Sequence, residues 1–129
     1  GVSQKAFELT IEYLKTRTQF GVKIGSFQAL QHRASHLWAE IELCKSIVLK
    51  ALRALDQNSD DIAKLSSFAK AKTSKISEVA TNEGIQMHGG IGMTDAVDVG
   101  LFLKRARVQA QMLGDANFHR SRYADLGGY

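Results

Sequence analysis

No proline occurs anywhere in the 129 residues, so no helix need be kinked or stopped by a missing backbone N–H. There is a single cysteine, Cys44, which rules out an internal disulfide. Its neighbours are apolar at helical spacing, so it reads as a core side chain in a reducing compartment rather than as a reactive thiol. No apolar run approaches the roughly 20 residues that span a bilayer, and the amino-terminal end lacks the hydrophobic segment of a signal peptide. The expected location is therefore the cytoplasm, or the mitochondrial matrix in a eukaryote, without membrane insertion. Aromatic residues do not interleave with the basic ones. The net charge is +4, and apart from Lys70, Lys72 and Lys75 and the run Lys104, Arg105, Arg107 the positive residues are dispersed. They read as solvated helix faces rather than a nucleic-acid surface, although phosphates on a small ligand would also suit them.

What remains is ordinary globular material, with 44% hydrophobic and 23% charged residues. The length suits one domain, residues 1–129. The chain opens on Gly1 rather than methionine, so it reads as a piece of something longer. Phe7, Ile11 and Leu14 predict a first helix from about Ser3 to Thr18, and no Glu or Gln completes a capping box after Ser3, so the helix is expected to begin upstream of residue 1. After Gly21 and Gly25, Ser26 can cap a second helix. Leu30, Ala34, Leu37, Ile41, Cys44, Val48, Ala51 and Leu55 alternate spacings of four and three, the seam of a long bundle helix.

Asp56, Gln57, Asn58 and Ser59 form a polar turn, and Ser59 or Asp60 can cap a third helix running through Met87. Its stripe of Ile62, Leu65, Ala69, Ile76, Val79 and Ala80 then meets Glu83 and Gln86, so something polar is expected beside that end. A fourth helix follows from about Val97 with Leu103, Ala106, Ala110 and Leu113 on one face. Gly114 ends it, and Asp115 caps a last helix reaching about Asp125. No strand and no repeat is evident. The expected fold is all-α, an up-and-down four-helix bundle with a short additional C-terminal helix.

Two segments carry residues suited to chemistry. Arg17, Thr18, Gln19, Phe20 and Gly21 follow the first helix, and Gln86, Met87, His88, Gly89 and Gly90 follow the third. In an up-and-down bundle both fall at one end. An arginine fork suits phosphate oxygens, an aromatic ring packs on a purine, and glycine lets backbone amides approach a ligand. On the residues alone, Phe20 can equally staple its loop to the core while the glycines merely turn the chain. His32 and His36 lie four apart but lack the glutamate of a zincin, so they read as a solvated or interface pair. His88 and His119 have no evident metal partners.

Taken together, Arg17, Gln19, Phe20 and Gly21, then Phe27 and Gln28, then Gln86, His88, Gly89, Gly90 and Gly92 resemble the Arg-x-Gln-Phe-Gly, Phe-Gln and Gln-x-x-Gly-Gly-x-Gly series of the acyl-CoA dehydrogenases. Order and spacing agree from Ala6 to about Tyr123. The resemblance implies a carboxy-terminal helical domain of an FAD enzyme in which two subunits of a homo- or hetero-oligomer share each flavin. Arg17, Gln19, Phe20 and Gln28 would contact the adenosine diphosphate portion held mainly by a neighbouring subunit, and Gln86, Gly89 and Gly90 would approach it from the next loop.

The implied reaction is α,β-dehydrogenation of an acyl-CoA thioester, with a glutamate as base. Laid on Arg105 without gaps, the family's Tyr-Glu-Gly pattern puts Leu113 at the tyrosine, Gly114 at the glutamate and Asp115 at the glycine. A threonine often found two positions later corresponds to Ala116. Asp115 reads as a helix cap rather than a relocated base. This chain alone is therefore expected to be catalytically incomplete. The competing reading is a non-catalytic partner subunit, or an interaction module without chemistry of its own.

Overall fold

A computed structural model describes residues 1–129, all of them in one helical body. The elements in order are α1 (Val2–Thr16), a hairpin of β1 (Thr18–Gln19) and β2 (Val22–Lys23), a 3-10 turn at Ile24–Ser26, α2 (Gln28–Asp56), α3 (Ile62–His88), a second 3-10 turn at Gly89–Met93, α4 (Val99–Gln111) and α5 (Ala116–Gly127). Helix α3 is the hub and packs on each of the other four helices. The bundle is the expected all-α one, with the short last helix added. No helix is long and apolar enough to cross a membrane.

The hairpin corrects the expectation that no strand is present. Thr18 pairs with Lys23 and Gln19 with Val22, leaving Phe20 and Gly21 as a two-residue turn with φ of 54° and 78°. Positive φ at both central residues matches the right-handed twist of a hairpin, and glycine supplies it freely. A phenylalanine there is strained. The Lys23 ammonium donates to the Thr16 carbonyl at 2.7 Å, a cation at the carboxy end of α1.

Helix α2 departs from its expected seam. Ala34, Leu37 and Ile41 are buried, but beyond Cys44 the inward positions are Ile47 and Ala54, while Val48 and Leu55 are exposed. The burial along this stretch follows α3, against which α2 packs most extensively. Val48 faces a groove beside Gly1, Val2, Ser3 and Gln4.

Caps differ as well. Ser26 does not cap α2. Its hydroxyl donates to the Lys23 carbonyl at 2.7 Å, and Phe27 takes the cap position without a side-chain bond. Ser59 Oγ accepts from the Asp61 amide at 3.2 Å just before α3, and neither Ser59 nor Asp60 occupies its cap position, which falls to Asp61. Asp115 does cap α5, its Oδ1 accepting from the Phe118 amide at 2.8 Å. Helix α5 buries no residue fully. It is held by Arg122, which donates to Ser67 Oγ and the Ala63 carbonyl of α3, and by Tyr123 against Phe68.

Glu83 has its partner inside the chain. Arg33 of α2 approaches its Oε2 at 2.7 Å through both Nε and Nη2, and this bond raises the Arg33 pKa further. The polar end of α3 is thus partly explained by a residue 50 positions away. Gly84 lies on the packed side, where a Cβ would come within 2.9 Å of Val99 Cγ2 and 3.1 Å of Thr10 Oγ1.

Candidate cofactor-binding site

The end of α1, the hairpin, the Ile24–Phe27 segment and the end of α3 enclose an open pocket of about 510 Å³. Its wall contains Arg17, Gln19, Phe20, Gln86, Gly89 and Gly90. The two sequence segments, 65 or more residues apart, are therefore brought together as the up-and-down topology requires. Gln28 is the exception: it opens the first turn of α2, exposed and outside the wall.

Each polar group is placed by local structure. Arg17 follows α1 in extended conformation, with its amide donating to the Tyr13 carbonyl and its own carbonyl accepting from Ile24 at 3.0 Å. The backbone is thereby clamped while the guanidinium stays exposed. It is the one permanently charged side chain in the wall. Phe20 is 89% exposed, with its ring edge-on to Phe27 at a centroid distance of 6.2 Å. It does not staple the loop to the core. Gly25 lets the hairpin return tightly against α1, since a Cβ there would lie 2.8 Å from the Leu14 carbonyl oxygen.

The glycines divide by role. Gly89 has φ 67° and ψ −146°, a conformation essentially closed to other residues, and its amide donates to the Gln86 carbonyl to end α3. That amide is therefore turned into the helix, in contrast to the expectation that glycine amides here approach a ligand. Added Cβ atoms at Gly89 or Gly90 would meet nothing within 4 Å, so both present bare backbone to open space. Gly92 is packed instead, 2.7 Å from the Ile85 carbonyl oxygen and 2.9 Å from His88 Cβ measured from a Cβ built on it.

Tyr13 is a wall residue that the sequence did not mark, and it meets His88, which the sequence placed in the second segment. Tyr13 stacks on His88 with centroids 4.3 Å apart, and His88 Nδ1 lies 2.7 Å from the Gly84 carbonyl oxygen. For Tyr13 the only signal was spacing: it stands one helical turn before Arg17, and His88 one turn after Gly84.

Gly114 adopts φ 98°, and a Cβ there would lie 2.5 Å from Phe118 Cδ1. His119 Nε2 pairs with the Leu113 carbonyl at 2.9 Å in the same corner. A glutamate at this position would have to displace Phe118. Of the other candidates, His32 and His36 are both exposed on α2. Burial pushes the Cys44 thiol pKa up, which keeps it protonated like a core side chain.

A family model described as the acyl-CoA dehydrogenase C-terminal domain matches residues 1–126. The chain belongs to that family. A curated relative, acyl-CoA dehydrogenase IpdE2 of Mycobacterium tuberculosis, is 40% identical over 113 residues, covering 88% of this chain and 34% of that protein. Among solved structures, a variant of the Tcur3481-Tcur3483 steroid ACAD superposes with a TM-score of 0.94 at 29% identity, covering 99% of this chain and 35% of that one. An FAD complex of PigA superposes with a TM-score of 0.91 at 25% identity, covering 98% and 33%. This acyl-CoA dehydrogenase C-terminal domain thus spans about a third of the length of the relatives it matches.

Proposed function

We propose that this domain supplies one wall of the FAD site in an oligomeric, flavin-dependent acyl-CoA dehydrogenase, contacting the adenosine diphosphate portion of a flavin held mainly by a neighbouring subunit. The observation that carries the reading is the pocket wall itself. It combines one permanent cation, an exposed aromatic ring and two bare glycines at one end of the bundle. Arg17 would pair with the pyrophosphate, Phe20 would lie against adenine, and Gln19 and Gln86 would supply hydrogen bonds. Gln28 would reach the same nucleotide from outside the wall. The flavin supplies hydride acceptance, and the substrate would be an acyl-CoA thioester.

An apolar strip on α2 supports the oligomer. Trp38, Leu49 and Leu52 share a helical face and are each about half exposed. The expected setting is the cytoplasm or the mitochondrial matrix. A second reading, a partner subunit without a base of its own, is favoured by Gly114, whose missing side chain leaves room that Phe118 fills.

Flavin retention tests the proposal. Arg17→Ala in the full-length protein is expected to weaken FAD binding at least about tenfold, the effect of losing one charge-assisted contact. Equal FAD content and affinity in the variant would remove the phosphate role of Arg17.

A further inference from the structure

Among the polar side chains of the pocket wall, His88 alone is buried, at 7% exposure. Its Nδ1 lies 2.7 Å from the Gly84 carbonyl oxygen. A carbonyl only accepts, so Nδ1 carries the hydrogen, and the neutral ring then holds a lone pair on Nε2. The ring cannot turn over without losing that bond. Tyr13 covers one face of it, and Gly92 packs against its Cβ.

Nε2 has no partner within the chain, yet it is not sealed from solvent, since His119 Nδ1 is the one side-chain nitrogen or oxygen that is both fully buried and unpaired. His88 thus lines the pocket with a fixed ring whose Nε2 is unpaired and not fully sealed from solvent. A neutral imidazole lone pair repels phosphate oxygens, which belong with Arg17, and attracts a hydroxyl or amino hydrogen.

We propose that His88 Nε2 accepts a hydrogen bond from a hydroxyl or amino donor on the nucleoside part of the pocket ligand, so that the wall selects a nucleotide over bare polyphosphate. The inference rests on the reading of the pocket as a dinucleotide site. His88 acts here as a specificity residue, with Tyr13 and the Gly84 carbonyl positioning it.

The test uses the full-length oligomer stripped of FAD, titrated calorimetrically with ADP, inosine diphosphate and inorganic pyrophosphate. In His88→Asn the amide can keep the Gly84 bond but cannot reach the pocket, whereas in His88→Gln an oxygen can occupy the position of Nε2. The Asn variant is expected to weaken ADP about tenfold and leave pyrophosphate unchanged, with the Gln variant restoring ADP. Inosine diphosphate lacks the amino group. If wild type binds it as it binds ADP, the donor is a ribose hydroxyl, and if it binds about tenfold more weakly, the donor is the adenine amine; both results support the proposal.

Unchanged ADP affinity in His88→Asn, with Arg17→Ala weakening ADP and pyrophosphate alike, overturns the His88 role and leaves the pocket reading standing. Equal loss of both ligands in His88→Asn without rescue by Gln marks a structural effect and also overturns it. No effect of any variant on any ligand removes the pocket reading as well.

Discussion

The Tyr13 ring lies on the His88 ring with planes 23° apart, joining the end of α1 to the end of α3 directly beneath the pocket. One aromatic pair thereby sets the relation between the two loops that form the site. Replacing Tyr13 with Leu keeps apolar volume but removes the stack. Loss of about 1 kcal/mol of stability is expected. A double-mutant cycle with His88→Leu in urea unfolding checks it, since independent effects of the two changes would show that the rings are not coupled.

Phe20 sits at φ 54° with its ring in solvent, so it contributes strain and almost no burial. Asparagine is far better suited to this turn, and Phe20→Asn is expected to raise stability by about 1 kcal/mol while weakening FAD binding. Thermal melting and flavin titration on the same variant check both parts. A variant that loses stability would show that the ring is anchored more firmly than its exposure indicates.

Gly84→Ala places a methyl group between Val99 and Thr10, at distances of 2.9 Å and 3.1 Å from the nearest atoms. Helix propensity favours alanine by about 1 kcal/mol, but the crowding costs about 1–3 kcal/mol, so packing decides. Net destabilisation in denaturant unfolding is the expected result.

Hydrogen bonding to Lys72 holds the Glu40 carboxyl below the ordinary glutamate range, aided by the Lys72 charge and opposed by burial. A depressed carboxylate contributes stability that is full above the unfolded-state pKa and disappears as pH falls through the folded-state one. The stability difference between wild type and Glu40→Gln is therefore expected to be about 1 kcal/mol at neutral pH and to shrink on acidification through the glutamate range. Urea unfolding across that range measures it, and a pH-independent difference would exclude the ion pair as its source.

Helices were legible in the sequence because their signals are local. The periodicity of α2 and α3, the polar turn between them and the Asp115 cap all appear as residue spacing. What was not legible depends on distant partners. Val48 and Leu55 fit the seam of α2, yet both are exposed, because the covered side of that stretch is set by packing against α3 and not by spacing alone. Ser26 has a capping side chain, but the 3-10 turn claims its hydroxyl. Glu83 calls for a polar partner beside it, but nothing in the spacing shows that the partner is Arg33, 50 positions away.

The site divides in the same way. The motif residues marked the pocket, but a two-residue strand pair leaves no periodicity, and Phe20 is not a residue that announces a positive-φ turn. Tyr13 and His88 meet across 75 positions, a pairing that no spacing rule reveals.

The hub position of α3 bears on how the chain acquires its shape during synthesis. Helices α1 and α2 are completed first, but each packs more extensively on α3 than on the other. Within this domain they have little to fold against until residues 62–88 have left the ribosome. The domain is thus expected to consolidate late and in one step, leaving a long interval in which the apolar face of α2 stands open to chaperones or to a partner chain.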